Sequence, residues 1–370
     1  MPFADELIGT PTARALTTAI RAAAPAARLT ALRAAPGRFD ALGLRERSDL
    51  LRDALLADLP GDYATFAATI RAARDGDRPF AGWLIWPVTS AVAAKAIAER
   101  TDTAFDDALA LLAELTPRLT SEFALRPLLD HDPDRALATI TTWTTSPDPH
   151  VRRLASEGTR PFLPWATRVP GLLTRPGITL PILHALHRDD SEYVRRSVAN
   201  HLNDLSRDHP DLVVDTAAGW LSEPGGNTPA LVRHALRTLV KRGHPGALRL
   251  LGFAPVDVDT TGPELSASSV PFGGTITFRA SIVNTELDPV RIAVDYTVHH
   301  RKANGGQTGK TFKLTTRTLA PGERLDITRD HSFRPITTRR YHPGEHGLEL
   351  HVNGASTGRA DFTLLPPRET

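Results

Sequence analysis

Apolar residues in the first two thirds of the chain recur at steps of three and four. Leu50, Leu51, Ala54, Leu55 and Leu59 fall on one side of a 3.6-residue period, and comparable stripes continue to about residue 254. The spacing predicts an all-α region. Beyond Pro255 the period changes to two and β-branched residues alternate with polar ones, as in Thr275-Ile276-Thr277-Phe278, the run from Ile292 to Val298, and Leu348-Glu349-Leu350-His351-Val352. Turn residues at Asn304-Gly305-Gly306, Pro321-Gly322 and Pro343-Gly344 separate these runs. Two domains are therefore expected, a helical one over residues 1–254 and an all-β one over 255–370.

The helical part repeats itself. His150-Val151-Arg152-Arg153-Leu154-Ala155-Ser156-Glu157 returns as Tyr193-Val194-Arg195-Arg196-Ser197-Val198-Ala199-Asn200, with Val194 standing 43 residues after Val151. A fainter copy, Leu231-Val232-Arg233-His234-Ala235-Leu236-Arg237, follows 38 residues later. Spacings near 40 mark HEAT-like α-helical repeats stacked into a curved solenoid. Short acidic or proline-bearing loops, Ser146-Pro147-Asp148-Pro149 and Asp189-Asp190-Ser191, precede two of the copies and supply caps for the helices that follow. The short strands beyond Pro255 suit an immunoglobulin-like β-sandwich, here without a disulfide because the chain has no cysteine.

Aligning the copies sorts their faces. Val151, Leu154 and Ala155 form one apolar stripe, and Val194, Val198, Leu202 and Leu205 another; both should pack into the array. The polar sides carry Arg153 with Glu157, then Arg196, Asn200 and Asp204, then Arg233, Arg237 and Lys241 at successive i+4 steps. Equivalent helices of a solenoid present equivalent faces, so these residues are expected on one concave surface. A basic rail interrupted by carboxylates suits an anionic backbone with a point of negative charge. Two plainer readings stand beside this one: Arg153 and Glu157 as a surface ion pair worth ~0.3–0.5 kcal/mol, and Arg233, Arg237 and Lys241 as a solvated face. Glu157 argues mildly against the first, because it precedes Gly158 and a carboxylate in a last helical turn opposes the macrodipole.

Charge and composition narrow the field. With 44 basic against 42 acidic residues the chain carries a formal charge of only +2, which excludes a polycationic nucleic-acid coat. Lysine is scarce: Lys95, Lys241, Lys302, Lys310 and Lys313 are all there are, and three of the five lie in Arg301-Lys302-Ala303-Asn304-Gly305-Gly306-Gln307-Thr308-Gly309-Lys310-Thr311-Phe312-Lys313. That stretch reads as a phosphate-tracking loop, or as an ordinary solvated hairpin tip. The absence of cysteine excludes thiolate nucleophiles and iron–sulfur clusters, and no phosphate loop, His-Glu-x-x-His or Gly-x-Ser-x-Gly occurs. No metal site and no cofactor are expected. Without a signal peptide or an apolar run of membrane length, the chain is expected to be a cytoplasmic, nucleoid-associated monomer that does not contact membranes.

The stretch from Ser191 to Asp204, with Arg152-Arg153-Leu154-Ala155-Ser156-Glu157-Gly158 and Pro164-Trp165 before it and Val232 to Arg237 after it, closely resembles the AlkC branch of the AlkC/AlkD DNA glycosylases. The resemblance extends upstream through Phe80-Ala81-Gly82-Trp83 and Thr120 to Pro127, and downstream through Lys302-Ala303-Asn304-Gly305 and Phe312-Lys313-Leu314 to the immunoglobulin-like module of part of that family. It implies a monofunctional glycosylase that excises 3-methylcytosine and 3-methyladenine from double-stranded DNA by hydrolysing the N-glycosidic bond, without the base flipping general to glycosylases, while the β domain helps to encircle the duplex. The family's acidic catalytic positions map onto Glu122, Glu157 and Asp204. The last two already lay on the expected concave face; for Glu122 only the resemblance speaks. Within the same frame Asn200 and Asn203 are assigned to a water or a phosphate, and Trp165 to the lesion or DNA, whereas Trp143 is read as core. A HEAT-repeat protein that binds DNA or its lesions without catalysis is the alternative, and a peptide-binding scaffold a more distant one.

Overall fold

The computed structural model describes residues 4–337 and 339–367, and these form two compact units. The first comprises residues up to His209 together with Glu223–Ala235. Its described residues form helices and connecting loops, and four of the helices begin where a short polar side chain caps them, whereas Ser191 starts helix Glu192–Leu205 with no side-chain cap bond. Asp62, Thr101, Asp132 and Asp148 accept the backbone N–H of Thr65, Ala104, Arg135 and His150 at 2.8, 3.2, 3.1 and 2.7 Å. In the last two, proline follows the cap directly and occupies the first helical position, where no N–H is needed. Helix Leu44–Asp58 packs on Ile85–Glu99, which packs on Asp102–Leu115; helix Glu192–Leu205 lies between Pro149–Glu157 and Thr228–Ala235. The three copies of the echo thus occupy three successively packed helices, as HEAT-like repeats require. Their apolar stripes are inside: Leu154, Ala155, Val194, Val198, Leu202 and Leu205 are all buried.

The second unit holds Pro210–Ser222 and everything from Leu236 onward. Strands begin at Val258, close to the change of period, yet helices Pro210–Ser222, Arg237–Lys241 and Pro245–Leu250 belong with them. Leu248 and Phe253 pack on Ala293 of the sandwich, and Asn353 donates to the carbonyls of Ala254 and Arg291 at 2.6 and 3.1 Å. The change of secondary structure near residue 255 and the change of compact unit therefore do not coincide.

The strands are β1 (Val258–Leu265), β2 (Ser269–Val270), β3 (Thr275–Asn284), β4 (Val290–Arg301), β5 (Gln307–Leu319), β6 (Arg324–Ser332), β7 (Gly344–Val352) and β8 (Ala355–Leu364). They form a three-stranded sheet, β1-β3-β6, and a five-stranded sheet, β2-β8-β7-β4-β5, antiparallel except for the short β2–β8 pair. Ile276, Phe278 and Ile282 of one sheet meet Val294, Tyr296, Val298, Leu348 and Leu350 of the other in a single core, the arrangement of an immunoglobulin-like sandwich.

One end of this core contains imidazoles. His300 on β4 lies 6.0 Å from His331 on β6 and 5.7 Å from His346 on β7, ring centre to ring centre, with Phe333 against all three. Burial, with Arg339 and other cations nearby, pulls His300 down to about 3 and His331 to about 4 from an ordinary 6.5. The unfolded chain therefore takes up protons below pH 6.5 that the folded sandwich refuses, so the stability these residues contribute is whole above pH 6.5 and is lost as pH falls toward 4. Imidazole NMR of the full chain should show His300 and His331 neutral at about pH 5 while amide protection in the sandwich declines; a folded sandwich with His331 protonated at about pH 6 would contradict this.

Candidate active site

Glu157 is the last residue of helix Pro149–Glu157. A Cβ on Gly158, the residue that follows, would stand 2.4 Å from the Leu125 side chain and 3.0 Å from the Leu154 carbonyl, so glycine lets the preceding repeat pack this close. The backbone then doubles back, and Arg160 N–H reaches the Glu157 carbonyl at 3.3 Å. Arg126, fully buried, fixes this return by donating to the carbonyls of Gly158, Arg160 and Thr167 at 3.1, 2.9 and 3.0 Å. Glu122 stands in the short segment between helices Asp102–Leu115 and Leu125–His131, held by Thr120 Oγ1, which donates to its Oε2 at 3.1 Å. Asp204 projects from the last turn of helix Glu192–Leu205.

These elements bring the three carboxylates into one hydrogen-bonded chain. Arg153 Nη1 donates to Glu122 Oε2 at 2.6 Å and its Nη2 lies 3.5 Å from Glu157 Oε1. Arg160 Nη1 donates to Glu157 Oε1 at 2.6 Å, and its Nε and Nη2 grip Asp204 at 2.9 and 3.0 Å. Ser197 Oγ donates to the other Glu157 oxygen at 2.7 Å. The side chains of Glu122, Glu157 and Asp204 are only 12%, 8% and 11% exposed, so the solvated surface pair considered for Arg153 and Glu157 is not what forms. Burial alone would push the Glu157 carboxyl up, but Arg153, Arg160 and the Ser197 hydroxyl outweigh it and hold the group below the usual carboxylate range. Behind the chain, burial pushes His201 down to about 4; the neutral ring donates from Nδ1 to the Ser156 carbonyl at 2.9 Å and accepts from Thr179 Oγ1 at 3.0 Å.

Glu122 and Glu157 form part of the wall of a cavity of about 280 Å³, whose other walls include Trp83, Trp86, Phe123, Leu163 and Trp165. Trp86 and Phe123 pack ring to ring at 4.9 Å. Trp165 is 67% exposed and has φ +62°, a left-handed conformation that a bulky residue rarely adopts. Its carbonyl accepts from Arg45, whose guanidinium also lies 5.8 Å from the Trp86 ring centre. An exposed indole in a strained backbone conformation beside buried carboxylates is a feature that packing alone does not call for. Trp143, by contrast, is buried.

The remaining expected residues disperse. Arg196 is exposed and paired with Glu192 at 2.7 Å, whereas Asn200 bonds His234 at 3.1 Å and Asn203 is half-buried one residue before Asp204. The rail Arg233–Arg237–Lys241 is not one helix. The ladder breaks at Leu236, with φ −84° and ψ 0°, and Arg233 falls in the first compact unit while Arg237 and Lys241 fall in the second. In the sandwich the expected lysine loop is mostly strand. Only Lys302–Gly306 turns, and period-two alternation along β5 sends Lys310 and Lys313 to opposite faces. Lys310 lies over Phe312 at 5.3 Å, and Lys313 stands opposite Asp295, whose carboxyl burial pushes up to about 6. Arg160, Ser197, Arg126, Trp83 and Trp86 went unread in the sequence. For Arg160 the signal was present, three residues beyond Glu157, but on the far side of a helix stop.

HEAT-like helices that hold buried carboxylates beside an aromatic cavity, joined in one chain to an immunoglobulin-like sandwich, are the combination that the comparisons with known proteins assign to a class of DNA repair protein. The model of the DNA alkylation repair enzyme family matches residues 86–242, and that of the YhaZ C-terminal Ig-like domain matches residues 259–366. The uncharacterized protein YhaZ of Bacillus subtilis (strain 168) is 36% identical over 261 residues, 70% of this chain and 72% of YhaZ. The structure of the Pseudomonas fluorescens alkylpurine DNA glycosylase AlkC, bound to DNA containing an abasic site analog, superimposes with a TM-score of 0.84 and 33% identity, covering 99% of this chain and 100% of that one. The chain belongs to the DNA alkylation repair enzyme family, in its AlkC-type branch with a C-terminal immunoglobulin-like domain.

The ion-pair chain makes a prediction about stability. Asp204→Ala deprives Arg160 of its two-pronged partner in a buried site and should cost about 3 kcal/mol, whereas Asp204→Asn, which keeps an acceptor oxygen, should cost less than half of that. Urea unfolding followed by tryptophan fluorescence measures both; equal costs would contradict this and show that the lost charge alone carries the effect, with the retained oxygen contributing nothing.

Proposed function

We propose that the chain is a monofunctional DNA glycosylase that hydrolyses the N-glycosidic bond of cationic N3-alkylated bases, 3-methylcytosine and 3-methyladenine, in duplex DNA. The observation that carries this reading is the convergence of Glu122, Glu157 and Asp204 through two arginines beside an aromatic cavity. Its likeness to an alkylpurine DNA glycosylase supports the substrate class.

Methylation at N3 gives the base a positive charge, so it departs as a neutral leaving group without being protonated. Departure leaves an oxocarbenium-like sugar, and fixed negative charge in a water-poor site lowers the barrier to forming it. A carboxylate such as Glu157, held ionised by arginines, is a poor proton donor and a good stabiliser of a cation. Glu157 and Asp204 are assigned to the sugar cation and the attacking water, and Glu122 supports them through Arg153. Trp165 faces the lesion or its backbone, where its indole offers a cationic base an attractive face. None of the five lysines is assigned to Schiff-base chemistry, so an abasic site is the product. The base is proposed to remain stacked, with contacts from the β domain completing the grip on the duplex.

Purified protein should release 3-methylcytosine and 3-methyladenine from duplex DNA, detected as alkali-labile abasic sites, and should leave uracil untouched at neutral pH, because Glu157, held below the usual carboxylate range, has no proton to give a neutral base. Glu157→Gln and Asp204→Asn should each slow release by about 10²–10³-fold with little change in affinity for abasic DNA. Release by both variants at the wild-type rate would sink the catalytic assignment. Salt-sensitive binding without release by the wild type would leave a lesion-binding protein. If Lys302, Lys310 and Lys313 each contact a phosphate, neutralising one at a time should flatten the dependence of log affinity on log salt by ~0.9 per contact, and an unchanged slope removes that lysine from the interface.

A further inference from the structure

Arg160 comes from outside the helices that carry the acids. It follows Gly158 and Thr159, its side chain is 9% exposed, and its backbone carbonyl is held by Arg126 at 2.9 Å. One face of its guanidinium fork takes both oxygens of Asp204 and the remaining nitrogen takes Glu157. Arg196 pairs with Glu192 in open solvent; Arg160 is buried between two carboxylates that belong to different repeats.

Resting on the glycosylase reading, we infer that Arg160 is a positioning residue of the reaction: it ties Glu157 and Asp204 to one point and sets its cation between them, leaving the chain with one more carboxylate than guanidinium against one sugar cation. The count comes from the bonded groups themselves, Glu122, Arg153, Glu157, Arg160 and Asp204, three carboxylates against two guanidiniums. Two buried carboxylates this close, without a cation between them, cannot both stay ionised at neutral pH, and a protonated one neither stabilises a cation nor orients a water. The fork also fixes direction, because a bidentate contact holds the Asp204 carboxylate plane as a point charge would not.

Every element around the pair leaves this role to Arg160. Helix Pro149–Glu157 offers Arg153, which is shared with Glu122. Helix Glu192–Leu205 offers Ser197, Tyr193 and His201, of which Ser197 bonds Glu157 and Ser156, and burial pushes His201 down to about 4, so it stays neutral. Glu122 faces the site from its own segment. Arg126 and Arg168 stand behind it, with Arg126 bonded to backbone carbonyls and Arg168 bonded to the Leu163 carbonyl at 3.1 Å.

The test compares wild type, Arg160→Met and Arg160→Lys in single-turnover release of 3-methyladenine from duplex DNA across pH, with affinity for abasic duplex measured alongside. Arg160→Met should slow release by about 100-fold, with abasic-DNA affinity changed by less than about threefold. Its acid limb, the pH below which the rate falls, should move up by about one to three units, because the acids now titrate without their shared cation. Arg160→Lys keeps the charge and loses the fork, so its acid limb should return toward that of wild type while the rate stays about tenfold low. A slowed Arg160→Met with an unmoved acid limb would make the residue merely structural and overturn the proposal, as would an undiminished rate. Should Arg160→Met fail to fold by circular dichroism, Arg160→Gln takes its place with the same readouts: a slowed rate with a raised acid limb upholds the inference, and a wild-type rate or an unmoved acid limb overturns it. No release by wild type would instead sink the glycosylase reading.

Discussion

A water-poor site with three carboxylates must solve one electrostatic problem before any chemistry: like charges at hydrogen-bonding separations in a protein interior do not coexist unless cations stand between them. Here the solution is a chain in which acid and guanidinium alternate, from Glu122 through Arg153 and Glu157 to Arg160 and Asp204. Much of the local architecture follows from keeping that order. Gly158 lets the helix end against Leu125, the backbone turns back, Arg126 ties the returning carbonyls, and Arg160 arrives from the side that the helices leave open.

The same chain bears on the proposed reaction. Glu157, held below the usual carboxylate range by its arginines, is a poor proton donor, so the proposed chemistry suits a leaving group that already carries its charge, as an N3-methylated base does. Selection by charge also suits the cavity walls, where Trp83, Trp86, Phe123 and Trp165 offer π faces to a planar cation and little hydrogen bonding to distinguish one base edge from another.

The fold was largely legible because period and spacing are local properties. The change from three-and-four to two near Pro255, the 43-residue echo and the Asp-Pro caps each correspond to elements in the structure. The site was legible only where it follows a helix face: Glu157 and Asp204 emerged from periodicity, and Arg153 with them. Arg160 did not, since it lies beyond the end of the helix and the turn that brings it back onto Glu157 is held by Arg126 of another repeat. The single loop expected over 302–313 differs from the structure for the opposite reason. The density of lysines there suggested a patch, but β5 continues through Lys310 and Lys313 and alternation parts them. Composition carries no information about which side of a sheet a residue takes.

The repeat itself shows how a symmetric scaffold becomes an asymmetric site. In register with Glu157 the second copy has Asn200, and its acid, Asp204, comes one helical turn later, displaced along the axis by about 5.4 Å. Two acids in strict register on neighbouring helices would have faced each other directly; the one-turn stagger opens a gap that a guanidinium fits, with one end on each carboxylate. Ser197, one turn before Asn200 on the inner side, closes the near end of that gap by donating to Glu157. The acid at position 204 and the arginine at position 160 therefore depend on each other: moving the acid back to position 200 would leave the fork without its second partner, and removing the fork would take from Asp204 the arginine that grips it and leave Glu157 to Arg153, which Glu122 also holds.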